Sequence, residues 1–261
     1  MNKKLWEPSK TLKLNSNLFK FEKFISNRFK KKFNGNYEKI HNWTIKNPQS
    51  FWNCVWDYSK VKGNKGKNNT KKLSKFYKNT FLNNSKLNFT ENLLSKNNDD
   101  KAITFISENG FREIKNWKEL NINVKKVSAF LRKLNIKSKD RVVAYMPNIS
   151  ETVEAFLGTV GIGSIWSSCS PDFGINGVIE RFSQIKPKVL FVTKEYFYNG
   201  KKINILERLP EILKKIPTIK HVVISSYPGQ AEIKKLPKYK NIKPVISVNI
   251  TVPSTICSLG L

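Results

Sequence analysis

From Gly158 to Phe191 the chain reads GTVGIGSIWSSCSPDFGINGVIERFSQIKPKVLF. Glycines close an apolar helical segment, and Ile165 opens an extended run that leads into small polar residues ending at Gly174. A second helical segment follows over 178–185, and Pro187 resets the chain for the apolar run 189–192. Two extended runs joined through a helix cannot form a tight hairpin, so they pair in parallel as an α/β crossover. Open parallel sheets bind ligands in the crevice beyond the carboxyl ends of their strands, which makes the loop before Gly174 the first place to look for function.

The same alternation extends in both directions. An apolar strand over 102–106, an Asn109-Gly110 turn and a return over 111–114 form a hairpin. Asn116 and Glu119 have the spacing of a capping box, followed by Leu120, Val124, Val127, Phe130, Leu131 and Leu134 at helical intervals. A strand over 142–146 stops at Pro147, and Asn148 with Glu151 is expected to cap the next helix through Val153, Phe156, Leu157 and Val160. Then come a strand at 165–168, a helix at 178–185, a strand at 189–192, a helix at 205–216 and a strand at 221–225. Apolar runs without alternation, each followed by a helix, predict an α/β fold with a largely parallel sheet covered by helices on both faces. Gly158, Gly161 and Gly163 close a helix instead of opening one, so they read as close-packing and capping positions, not as a dinucleotide fingerprint.

Residues 1–98 have a different texture. Trp6, Phe19, Phe21, Phe24, Trp43, Phe51, Trp52, Trp56 and Phe89 recur in a Lys- and Asn-rich background, which reads as an aromatic-rich, irregular or helical extension lying against a neighbouring body. The lysine-rich loop 60–78 contains Gly63-Asn64-Lys65-Gly66-Lys67, but its glycines are too close, no Ser or Thr follows the lysine and no strand precedes it, so it is read as a solvated loop. After Pro228 the pattern fades, and 251–261 forms no recognisable element.

The net charge of +29 suggests nucleic acid or an anionic surface, yet 42 of the 48 basic residues are lysine and six are arginine. Lys, Asn, Ile and Phe all have A/T-rich codons, and base-reading surfaces favour arginine, so no specific nucleic-acid partner is expected. Three cysteines without a C-x-x-C pair and two distant histidines argue against a metal site and suit a reducing, cytoplasmic compartment. Neither a signal peptide nor a membrane span is expected. Cys169 and His221 are read as structural.

Several segments, in order and reaching about residue 245, carry a resemblance. Leu5-Trp6-Glu7-Pro8-Ser9, Trp43-Thr44, the Phe51-Trp52 and Val55-Trp56-Asp57 pair, 86–94, 140–148, and above all the run from Gly163 through Trp166-Ser167-Ser168-Cys169-Ser170-Pro171-Asp172-Phe173 to Gly174 resemble the acetoacetyl-CoA synthetase branch of the adenylate-forming acyl-CoA synthetases. The resemblance implies a ligase in which acetoacetate attacks the α-phosphate of ATP, releasing pyrophosphate, and CoA thiolate then displaces AMP. ATP, Mg²⁺ and CoA are the implied small molecules. It further implies an extension over 1–98, an incomplete N-terminal adenylate-forming domain over 99–250 and a non-matching tail over 251–261. The family's phosphate loop, ribose-holding aspartate and C-terminal lysine are expected beyond Leu261, in a missing C-terminal part, so the chain by itself is expected to be inactive; the alternatives are a noncatalytic CoA- or partner-binding module and an acyl-CoA synthetase for another short-chain acid. What it is expected to hold is part of the CoA nucleotide site. By position the family's loop and turn along the CoA adenine and 3′-phosphate fall on Ser170, Pro171, Asp172 and Phe173, and on Tyr198, Asn199, Gly200 and Lys201. Tyr198 stands where the family has an arginine, which removes a bidentate phosphate partner.

Overall fold

The structure, a computed structural model, describes residues 5–67, 77, 80–230, 233, 239 and the backbone of 246–247. The chain divides into two units, Met1–Leu87 and Asn88–Leu261. The change of texture at 98/99 lies inside the second unit, while the tail 251–261 and most of the lysine-rich stretch after Lys67 lie outside the described residues.

The first unit is more regular than its sequence suggests. It contains α1 (Lys10–Asn15), α2 (Asn17–Phe29), α3 (Tyr37–Lys46) and α4 (Pro48–Tyr58). Local chemistry sets the boundaries: the Ser16 hydroxyl accepts from the Phe19 amide at 3.2 Å, the Asn36 side chain accepts from the Lys39 amide at 3.0 Å, and Pro48 opens α4 where its missing N–H is no loss. Several of the recurring aromatics pack on one another within the unit. Ile25, Phe33, Ile40, Trp43 and Cys54 form a buried cluster with Phe21, Phe24, Phe29 and Phe51 against it, because helical spacing turns these side chains to shared faces. Gly63 and Gly66 are not a phosphate loop. Asn64 exchanges backbone hydrogen bonds with Lys86, and a Cβ on Gly63 would stand 2.5 Å from the Lys86 carbonyl oxygen.

Asp57 ties this unit together, meeting Arg28 and Lys65 at 2.6 Å each. Hydrogen bonds from Lys65 and then Arg28 hold its carboxyl below the usual carboxylate range, against the opposing effect of burial. A depressed folded-state value means stability that is present above about pH 4 and is lost as pH falls through the folded value. Hydrogen-exchange protection of α2 and α4 amides should therefore fall between about pH 5 and pH 2, and Asp57→Asn should flatten that dependence.

In the second unit, β1 (Lys101–Ile106) and β2 (Arg112–Asn116) form the expected antiparallel hairpin, with Gly110 at φ 81° in its turn. α6 (Trp117–Lys133) begins with the expected capping box: the Asn116 side chain accepts from the Glu119 amide and the Glu119 carboxylate accepts from the Asn116 amide, both at 2.8 Å. β3 (Arg141–Tyr145), α7 (Ser150–Gly161), β4 (Ile165–Cys169), α8 (Ile175–Ser183) and β5 (Val189–Thr193) follow. Next come the hairpin β6 (Glu195–Tyr198) and β7 (Lys201–Asn204), a 3-10 turn (Leu206–Arg208), α9 (Leu209–Lys215), β8 (His221–Ser225) and the short β9 (Ile246–Ser247). The helix expected over 205–216 is thus a 3-10 turn running into an α-helix, with Pro210 at its start. The cap expected at Asn148 is not made. α7 starts after Ile149 without a side-chain cap, and Glu151 faces Lys115 at 3.5 Å instead.

β4, β3, β5, β8 and β9 hydrogen-bond in that order, all parallel. The chain steps one way from β3 to β4 through α7, then back across β3 to β5 through α8. Right-handed crossovers accordingly put α7 on one face and α8 with α9 on the other. β3, β5 and β8 are buried along nearly their whole length, as their unbroken apolar runs require, whereas β4 at the edge leaves Ile165 half exposed.

α7 is fixed over its last turns. Asn88 donates to the Val160 and Gly161 carbonyls at 3.1 and 3.2 Å, and Thr90, at the start of the short helix α5 (Phe89–Leu93), donates to the Leu157 carbonyl at 2.7 Å. Gly163, at φ 75°, turns the chain out of the helix. Gly158 lets α6 approach, since a Cβ there would stand 2.5 Å from Val127 Cγ1. Gly158→Ala should destabilise the second unit by about 1–3 kcal/mol through overpacking, outweighing the helix-propensity gain of about 1 kcal/mol, as read by urea unfolding.

Candidate functional site

β3 carries one aromatic among its aliphatics, Tyr145, at its carboxyl end. Tyr145 pairs with Cys169 of β4 on one side and with Val192 of β5 on the other. This is where the order of the sheet reverses, the place at which such sheets open a crevice for ligands. Here the chain fills it. Tyr145 is fully buried, so its hydroxyl must find partners within the protein. It donates to the Phe173 carbonyl at 2.7 Å and lies 3.1 Å from the Pro171 carbonyl. Burial pushes its hydroxyl pKa above the ordinary value, with Arg208 opposing.

Arg208, in the 3-10 turn before α9, completes the plug. Its Nη1 hydrogen-bonds the Tyr145 hydroxyl, the Pro171 carbonyl at 2.9 Å and, more loosely, the Phe173 carbonyl at 3.4 Å. The fully buried Ile205 and Leu209 bracket it and hold the turn in the core. The 170–174 loop is therefore an ordered arch whose two inward carbonyls are held from below. Its outer side is equally determined. The Ser170 hydroxyl donates to Asp172 Oδ2 at 2.6 Å, and the Tyr196 hydroxyl donates to Asp172 Oδ1 at 3.1 Å. Burial, reinforced by the neighbouring carboxylate, pushes the Tyr196 pKa up to about 12, so this hydroxyl remains a donor through the physiological range. Phe173 stays 39% exposed, with the Arg181 guanidinium 4.1 Å from its ring centroid.

The second predicted group forms the tip of the β6–β7 hairpin. Asn199 and Gly200 have φ values of 50° and 70°, the left-handed pair that a two-residue turn between twisted strands demands. Tyr198 is 56% exposed, and Lys201 projects from the exposed start of β7. Neighbouring Lys202 is engaged at 2.8 Å by Glu195, and the Gly200 amide lies 3.4 Å from a Glu108 carboxylate oxygen. Among the described residues no hydrogen bond or ion pair runs directly between Ser170, Pro171, Asp172 or Phe173 and Tyr198, Asn199, Gly200 or Lys201. They are joined through the hairpin's base, where Tyr196 precedes the tip and Arg208 follows β7.

Sequence reasoning missed Tyr145, Tyr196, Arg181 and Arg208. Two signals pointed to them. A tyrosine closing an otherwise aliphatic buried strand has a hydroxyl that demands a partner, and an arginine in a chain with 42 lysines marks a place where a planar, multi-donor cation does what lysine cannot. Cys169 is buried at the end of β4, and His221 opens β8. Among the described residues there is no group of three or more His, Cys, Asp or Glu arranged to hold a metal ion, and no helix is long and apolar enough to cross a membrane.

Residues 90–257 match the family of AMP-binding enzymes. Acetoacetyl-CoA synthetase of Gallus gallus is 36% identical over 241 residues, which make up 91% of this chain and 36% of that protein. Acetoacetyl-coenzyme A synthetase of Rhizobium meliloti (strain 1021) is 36% identical over 217 residues, 82% of this chain and 33% of that protein. Among solved structures, acetoacetyl-CoA synthetase from Streptomyces lividans superposes with a TM-score of 0.81 at 26% identity, covering 89% of this chain and 36% of that one. The chain thus spans about a third of the length of these relatives. With the family match running through the parallel sheet, the 170–174 arch and the β6–β7 hairpin, the chain belongs to the AMP-binding enzymes.

Proposed function

We propose that this chain is the N-terminal portion of an ATP-dependent acid-thiol ligase that converts acetoacetate, ATP and CoA to acetoacetyl-CoA, AMP and pyrophosphate through an acyl-adenylate. The observation that carries the reading is 36% identity to an acetoacetyl-CoA synthetase along 91% of the chain, including the ordered arch at the sheet's switch point. The domain plan that accompanies it is an extension over 1–98, a partial adenylate-forming domain over 99–250 and a tail over 251–261. The setting proposed is the cytoplasm, with small-molecule substrates, the remaining C-terminal part of the enzyme as partner and no specific nucleic acid.

Within this scheme the arch and the hairpin tip hold the nucleotide end of CoA. Phe173 and Tyr198 are exposed aromatic faces of the kind on which a purine stacks, and Lys201 supplies a cation for the 3′-phosphate. Asp172, with both oxygens already accepting from Ser170 and Tyr196, retains lone pairs for a purine amino group and disfavours a phosphate in contact with it. The 3′-phosphate is thereby directed toward Lys201. ATP and Mg²⁺ are assigned to the whole enzyme, since the 261 residues contain no Ser/Thr/Gly-rich loop ending in lysine.

Two measurements test this. Isothermal titration should show the chain binding CoA more tightly than dephospho-CoA, and Lys201→Ala should remove that difference, weakening CoA roughly ten- to a hundredfold, the loss of a charge-assisted contact of about 1.5–3 kcal/mol. The purified chain should form no acetoacetyl-CoA from acetoacetate, ATP and CoA. Equal affinity for CoA and dephospho-CoA in the parent chain would refute the assignment of the 3′-phosphate, and thioester formation would refute the division of labour.

A further inference from the structure

The polar groups beneath the arch balance. The Tyr145 hydroxyl has one hydrogen and Arg208 Nη1 has two, facing three acceptors: the Pro171 carbonyl, the Phe173 carbonyl and the tyrosine oxygen itself. Tyr145 donates to Phe173, and Nη1 donates to Tyr145 and Pro171. A lysine ammonium has three hydrogens but lacks the planar fork that fixes their directions. Arg208 is itself held by the backbone of its 3-10 turn, whose amide donates to the Ile205 carbonyl at 3.0 Å, and by the buried Ile205 and Leu209. Tyr196 grips the arch from the other end of the hairpin through Asp172. The arch and the hairpin are therefore bound to each other on both sides of the hairpin's base.

We infer that Arg208 is the positioning residue that joins the two halves of the nucleotide site, holding the arch in the shape that sets Phe173 and Asp172 against the hairpin carrying Tyr198 and Lys201. The inference rests on the reading of these residues as a nucleotide site. It assigns Arg208 no contact with ligand. Its effect passes through two backbone carbonyls, so it acts on the register of the arch and not on its charge.

The test uses the 261-residue chain with Arg208→Leu, Arg208→Lys and Tyr145→Phe, the last a near-isosteric change that keeps the experiment alive if Arg208→Leu does not fold. Hydrogen exchange reports the Asp172 and Phe173 amides, which donate back to Ser170 within the arch. Titration with adenosine 3′,5′-bisphosphate reports the site. Exchange at 172–173 should rise at least tenfold in Arg208→Leu and in Tyr145→Phe, with Arg208→Lys between them and the parent, while β3 and β5 amides stay protected. Affinity for the bisphosphate should fall in the same order. If exchange in the arch is unchanged in the folded variants, the positioning role is overturned whatever the ligand does. If exchange rises and the parent binds no bisphosphate, the arch is held by Arg208 as inferred and the nucleotide reading fails. Loss of affinity without any rise in exchange, unrepaired by lysine, would make Arg208 a direct ligand contact and overturn the inference.

Discussion

A buried tyrosine hydroxyl at the carboxyl end of β3 is the constraint on which the functional half of the structure turns. A hydroxyl in a core must be paired, and unpaired it costs about 1–3 kcal/mol. Tyr145 is paired by pulling two carbonyls of the 170–174 arch inward and by drawing Arg208 across from the turn before α9. That arrangement occupies the carboxyl end of β3, where the strand order reverses, and leaves Phe173 of the arch and Tyr198 of the adjoining hairpin exposed.

Much of the framework was legible because its physics is local. The Asn116 and Glu119 box, the Asn109-Gly110 turn, the unbroken apolar runs of β3, β5 and β8 and the glycine-closed end of α7 each depend on residues near one another in sequence. The failures involve distant partners. Glu151 was expected to cap α7 beside Asn148, but Lys115, on a strand formed more than thirty residues earlier, is the stronger attraction: its ammonium reaches Glu154 at 2.8 Å and lies within 3.6 Å of both Glu113 and Glu151. The first unit was underestimated for a similar reason. Its aromatics look like ornaments on an irregular extension until Trp43 is seen between Phe29 and Phe33, with centroid separations of 5.1 and 6.0 Å.

The candidate site divides along the same line. Ser170, Pro171, Asp172 and Phe173 announce themselves as a small polar loop after a strand, and Asn199-Gly200 as a turn. Nothing near either in sequence says that Tyr196 and Arg208 bind the two together, because that connection exists only once the hairpin has folded back on the sheet. The composition obscured it further: in so lysine-rich a chain the individual cations are easily dismissed as background, although the arginines at 28, 141, 181 and 208 all make specific contacts.

The equal number of donors and acceptors under the arch has a consequence for sequence divergence. A phenylalanine at 145 removes one hydrogen and one acceptor together and leaves Nη1 facing the Pro171 carbonyl at 2.9 Å and the Phe173 carbonyl at 3.4 Å, whereas loss of the arginine removes two hydrogens and leaves the tyrosine hydroxyl alone to serve both carbonyls. The two losses are therefore unequal. Of the two positions, 63 residues apart in the chain, 145 is thus the freer to change, whereas a change at 208 calls for a rebuilt arch.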